Sequence, residues 1–125
     1  MAQGQYIAGE CNIGSEEITR RRNVGLIGLA LTFILLAILI LLGVGRWWRF
    51  LVFFPSALSA VGFLQAQSHF CAGFARAGIY NFGSIGRNNP VSDEASKAKD
   101  RKRGNQIAMY SMLIGFVAAL ICVIL

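Results

Sequence analysis

The sequence predicts an all-α integral membrane protein with three transmembrane helices, the first two an antiparallel hairpin and the third preceded by a basic cytoplasmic helix. Three observations carry that prediction. The 125 residues are 55% apolar and 14% charged, with a mean hydropathy of +0.55, whereas a soluble domain carries about 25% charge. The apolar residues fall into three long stretches, and the formal charge of +6 is concentrated on one side of them. Fourteen Gly with 2 Pro exclude a collagen-like or Pro-rich chain, and 3 widely spaced Cys exclude a disulfide scaffold.

The first segment, residues 1–23, reads as a cytoplasmic stretch with a short amphipathic helix. Ser15 is placed to cap it, Glu16 and Glu17 lie in the first turn where the helix dipole favours anions, and Arg21 follows Glu17 at the i,i+4 spacing of a helical ion pair. The transmembrane hairpin follows over 24–66. Its first span, 24–45, contains no charge and reaches roughly 33 Å as a helix, enough for a hydrocarbon core of about 30 Å. Arg46-Trp47-Trp48-Arg49 supplies interfacial anchors, and the second span, 50–66, is short and carries Pro55 near its start. A signal peptide does not fit: the leading region holds Glu10, Glu16 and Glu17, and the apolar run is twice a normal h-region.

Small residues on these two spans share a pattern. Gly25, Gly28 and Thr32 lie on one face of the first helix, and Ser59, Gly62 and Ala66 lie on one face of the second, all in the cytoplasmic halves. In lipid, small residues at matching depth let two backbones approach closely, which predicts a tight hairpin.

The loop 67–106 divides in two. Ser68 to Asn89 is rich in Gly, Phe and Ala and poor in charge, which suggests a segment lying at the membrane face, with Phe70, Phe74, Tyr80 and Phe82 as a docking surface. Beyond Asn89-Pro90, Ser92 is a candidate cap, Asp93 and Glu94 favour a first turn, and one long helix is expected from about Asp93 into the third span, 107–125, with a bend at Gly104. Lys97, Lys99, Arg101, Lys102 and Arg103 form the flank expected to meet anionic lipid.

Orientation follows from the basic residues. Arg20, Arg21 and Arg22 precede the first span and Arg76, Arg87, Lys97, Lys99, Arg101, Lys102 and Arg103 lie in the second loop, against Arg46 and Arg49 in the first. This asymmetry places the N-terminus and second loop in the cytoplasm and the C-terminus in the periplasm or outside the cell. It also turns the basic excess from a nucleic-acid signal into a topology signal.

Two segments flanking the hairpin carry a recognisable pattern. Asn12, Gly14, Glu17, Arg21 and Gly25 precede and enter the first span, and Cys71, Phe74, Gly78, Ile79 and Asn81 follow the second. Both sets, in this order, resemble the YgaP-like transmembrane domain, a small two-helix bacterial inner-membrane domain of unknown function. The resemblance covers Asn12 to Asn81 and implies a bacterial inner membrane. Ala72 stands where the family has Pro, Ile18 where it commonly has Arg, and the third helix is an addition. Some family members are fused to rhodanese sulfurtransferase domains, which implies sulfur handling for those; no such domain exists here.

Chemistry-bearing residues are sparse. Cys71 is the one thiol in a suggestive position, with Cys11 on the same side by topology and His69 two residues before it; these three are the candidate set for a metal or redox-thiol site. No Cys-x-x-Cys or i,i+4 histidine pair supports a metal, and none is expected. A cytoplasmic thiol is kept reduced, and Cys71 as a small packed residue is the plainer reading. His69 is a candidate axial ligand, with hydrogen bonding to backbone or headgroups as the ordinary alternative. A second reading of Glu17, Arg21 and Asn12 is that they pin the loop around Cys71. No span carries a carboxylate, Lys or Arg of the kind a proton or ion pump uses, and no Walker loop, catalytic triad or dinucleotide fingerprint occurs. The expectation is a non-catalytic scaffold or accessory subunit of a membrane complex or homo-oligomer, without cofactor. The alternative is a thiol or sulfur-transfer domain using Cys71, with or without Cys11.

Overall fold

The computed structural model describes residues 6–125. It is mostly helical, and three of its helices are long and apolar enough to cross a membrane. Helix α1 is Ser15–Leu41; a 3-10 segment, Arg46–Val52, leads into α2, Phe53–Ser68; α3 is the short Ala72–Ala77; and α4 is Glu94–Ile124. Two two-residue strands, β1 (Ile79–Tyr80) and β2 (Asn89–Pro90), pair antiparallel with Ile79 opposite Pro90.

Several boundaries differ from the sequence expectation for physical reasons. The amphipathic helix and first span are one continuous helix, which ends at Leu41 and turns through Gly43 at φ +68°. Its N-cap is Gly14, not Ser15. Gly14 sits so close to the chain at Phe82 that a Cβ would lie 2.7 Å from the Phe82 carbonyl oxygen, so the position takes only glycine. The second helical stretch begins at Arg46, and Pro55 is accommodated in the first turn of α2, where its missing N–H breaks no helical bond. Asp93 rather than Ser92 caps α4. Gly104 produces no break in α4; it is buried because α3 rests on it, with Ala72 and Ala75 within 3.3 Å of where a Cβ would stand.

Helix α2 is central, with α1 and α4 both packed on it. The α1–α2 seam uses the small residues. A Cβ on Gly62 would lie 2.5 Å from the Gly25 nitrogen and one on Gly28 would lie 2.6 Å from the Ser59 nitrogen. Ser59 Oγ donates to the Gly25 carbonyl at 2.8 Å, Thr32 Oγ1 to the Gly28 carbonyl at 2.8 Å, and Thr32 and Ser56 hydroxyls meet at 3.4 Å. Positions therefore descend along α2 as they climb along α1. Ala66 is buried near the end of α2. On the other side Gly115 of α4 receives Ala57. The small-residue faces of the helices are thus occupied within the chain.

The anchor segment also does more than expected. Trp47 and Trp48 are exposed, and Trp47 stacks on Phe50. Arg49 instead turns inward and donates through Nη1 to the Cys122 carbonyl at 3.1 Å, satisfying one of the unpaired carbonyls at the end of α4.

Candidate functional site

The low-charge tract after α2 folds onto the end of the helical bundle. It begins where His69 adopts a left-handed conformation (φ 56°) and ends α2. The chain then doubles back: Phe70 N–H donates to the Gln65 carbonyl at 3.1 Å, and Ala72 N–H donates to Gln65 Oε1 at 2.8 Å. Phe70 is fully buried with Ala75 and Ile107, so it belongs to the core and not to a docking surface.

Asn12 joins this turn to the N-terminal segment. Its Oδ1 accepts from Cys71 N–H at 2.7 Å and its Nδ2 donates to the Cys71 carbonyl at 3.1 Å, so a side-chain amide occupies both backbone groups of one residue. The main chain of Asn12 is equally committed: its N–H donates to the His69 carbonyl, and its carbonyl accepts from Asn81 N–H at 3.0 Å. Gly14 N–H then donates to the Asn81 carbonyl at 2.8 Å, and Ile13 forms a parallel bridge with Asn81.

Beneath this backbone lattice lies an ion pair. Arg21 Nη1 is 3.0 Å from Glu17 Oε1, and Asn81 Nδ2 donates to Glu17 Oε2 at 3.3 Å. The Arg21 guanidinium stands 5.3 Å over the Phe74 ring and donates through Nη2 to Cys71 Sγ at 2.9 Å. Asn12, Glu17 and Asn81 are at most 1% exposed, Cys71 is 4% exposed and Arg21 is 9% exposed. Removing two charges from water costs several kcal/mol, and here the ion pair, the Asn81 amide and the aromatic face together offset it. Gly78, at φ +72°, ends α3 and its carbonyl accepts from Val91 N–H, which ties β2 and the start of α4 to the same cluster.

Of the residues singled out in the sequence, Asn12, Gly14, Glu17, Arg21, Cys71, Phe74, Gly78 and Asn81 gather here, while Gly25 lies farther along α1 in the seam with α2. His69 contributes its backbone. Cys11 closes a tight turn with Ile7 and is half-buried; burial pushes its thiol pKa up. Among the described residues no three His, Cys, Asp or Glu side chains form a metal-holding group, so Cys11, His69 and Cys71 do not assemble as one. The sole hydrogen-bond partner of the Cys71 sulfur among the described residues is Arg21, and all three cysteines are free.

A second junction was missed in the sequence. Tyr6 stacks on Tyr80 with ring centroids 4.8 Å apart, its hydroxyl donates to Asp100 Oδ2 at 2.6 Å, and Gly9 N–H donates to Asp100 Oδ1 at 2.8 Å. Asp100 is fully buried, and the N-terminal turn straps across α4. Burial, followed by the carboxylate of Asp100, pushes the Tyr6 phenol well above its usual range. At the start of α4, the Ser96 hydroxyl holds the Asp93 carboxyl below its ordinary range. The only hint of the strap was Asp100 standing alone among five cations. Gln65 was legible only as a long polar side chain near the end of an apolar run, the kind that bonds between elements in lipid. The chain matches no family model, no curated protein and no solved structure.

Proposed function

We propose that this chain is a non-catalytic multi-pass membrane protein, a three-helix scaffold or accessory subunit that assembles with itself or with a larger membrane complex. The observation that carries this reading is the closure of the Asn12–Glu17–Arg21–Cys71–Asn81 cluster: Asn12 bonds the Cys71 backbone, Glu17 pairs with Arg21 and accepts from Asn81, and the sulfur is buried beneath a guanidinium. Such a cluster locks the end of a bundle and leaves little for a substrate to touch. In this reading α1 and α2 form a transmembrane hairpin, the N-terminus and the basic loop face the cytoplasm of a bacterium, and the C-terminus faces the periplasm or exterior. The positive-inside distribution supports that orientation, and the bacterial setting is proposed from the resemblance to the YgaP-like domain alone.

Because the glycine faces are filled internally, association falls to other surfaces. An aromatic cavity of about 520 Å³ lined by Trp47, Trp48, Phe50, Phe54 and Phe116 at the opposite end of the molecule is one such surface. Extraction in mild detergent followed by native mass spectrometry tests the proposal. A homo-oligomer or a stoichiometric companion is expected, and recovery solely as a lone monomer contradicts it. The thiol reading keeps one observation in its favour, the Arg21 guanidinium 2.9 Å from the Cys71 sulfur, a neighbour of the kind that tunes reactive cysteines. The two readings divide on whether a reagent reaches that sulfur in the folded protein.

A further inference from the structure

Arg103 stands apart from the other cations of the basic flank. Lys97 pairs with Glu94, and Arg101 and Lys102 are exposed to solvent. Arg103 turns inward, and its Nε is buried without a hydrogen-bond partner. Among the described residues the ion pairs are Glu17–Arg21 and Glu94–Lys97, so no carboxylate answers its charge. A buried guanidinium nitrogen left unpaired is costly, and an oxyanion is the partner that restores its bonds.

The side chain lines a cavity of about 380 Å³ between the end of α2 and the middle of α4, with Gln67, Ser68, Gln106 and Tyr110 as hydrogen-bonding groups and Leu64 and Ile107 as apolar wall. Leu64 also lines a second cavity of about 500 Å³, walled almost entirely by carbon, in which α4 contributes Ile114, Ala118 and Ile121. Ile107, Tyr110, Ile114, Ala118 and Ile121 recur at three- and four-residue spacings, so they form one stripe on α4. The two cavities are therefore successive stretches of a single furrow, polar at the Arg103 end and apolar beyond it. From Arg103 to Ile114 the helix rises about 16 Å, close to half of a hydrocarbon core about 30 Å thick.

We propose that this furrow is a specific site for an anionic phospholipid, its phosphate on the Arg103 fork and one acyl chain along the stripe toward Ile114. A guanidinium matches phosphate oxygens in a two-point geometry that a lysine ammonium does not reproduce. The site rests on the membrane-spanning reading given above, and it differs from diffuse attraction by the flank because one inward-turned cation with a buried Nε, not the number of cations, decides it.

The test uses the full chain in phosphatidylcholine vesicles with or without phosphatidylglycerol. Flotation of the wild-type protein with the vesicles checks the membrane reading independently of Arg103. Extraction and native mass spectrometry then read retained lipid. One retained phosphatidylglycerol is expected for wild type and for R101Q and K102Q. Retention should fall at least about tenfold in R103Q and stay reduced in R103K. Circular dichroism and an unchanged tryptic pattern establish that R103Q is folded; an unfolded R103Q is replaced in the comparison by R103K. Equal loss in R101Q, equal retention of phosphatidylcholine, displacement of the lipid by inorganic phosphate alone, or a second copy of the chain cross-linked through the furrow would each overturn the proposal.

Discussion

Replacing Arg21 with alanine leaves Glu17 buried beside Asn81 without its cation, and the loss of one partner of a buried pair costs about 3–5 kcal/mol. Trypsin should then cut readily at Arg76 and Arg87 in detergent-solubilised protein, and unchanged cleavage would show that the pair does not hold the loop. Joint replacement of Glu17 and Arg21 by apolar residues of similar size should cost less than Arg21→Ala alone, as a thermal-melt comparison would reveal. His69 gives a complementary test of its own role. A left-handed backbone costs a non-glycine residue roughly 1–2 kcal/mol, so His69→Gly should leave the melting temperature unchanged or raised while His69→Val lowers it. The sequence displayed Glu17, Arg21 and Asn12 at the right spacings. That the Asn12 amide would take both backbone groups of Cys71, across a separation of 59 residues, depends on a chain reversal at His69 that no local pattern encodes.

At the scale of elements, the α1–α2 seam was legible because close helix packing in lipid demands small residues at matching depth, and Gly25, Gly28, Ser59 and Gly62 provide them. Gly62→Ala places a Cβ against the Gly25 nitrogen and should destabilise by about 1–3 kcal/mol, whereas Gly45→Ala, at a position with open space and ordinary φ, should be neutral in the same melt. The strap from Tyr6 to Asp100 was not legible, since it joins residues 94 apart in sequence through a hydroxyl, with a backbone N–H beside it, and no local pattern pairs either with that carboxylate. Tyr6→Phe removes a hydrogen bond to a carboxylate and should cost about 1.5–3 kcal/mol. Because the folded state raises the phenol pKa, the stability drawn from Tyr6 is fully present below the unfolded value of about 10 and is lost as pH rises beyond it. Hydrogen exchange at residues 7–11 should therefore accelerate in the alkaline range for wild type and show no such step in Tyr6→Phe.

Across the whole molecule, the polar interactions concentrate at one end of the bundle while large apolar side chains such as Leu26, Phe33, Met112 and Phe116 stay exposed along its length. That division is what a bilayer solvent favours, with backbone groups satisfied inside helices and charges held at the boundary. Fusions of alkaline phosphatase to the C-terminus should be active and fusions of a fluorescent protein to the N-terminus should fluoresce; the reverse would invert the topology. The buried cluster is proposed as a structural lock and not a reactive site. Its most direct test is maleimide labelling of Cys71 as the sole cysteine, with Cys11→Ser and Cys122→Ser, in native membranes at neutral pH without detergent. Cys71 should stay unlabelled until the protein is denatured and become reactive when Arg21→Ala opens the cluster. Labelling of the folded wild-type background as fast as in denaturant would contradict that role.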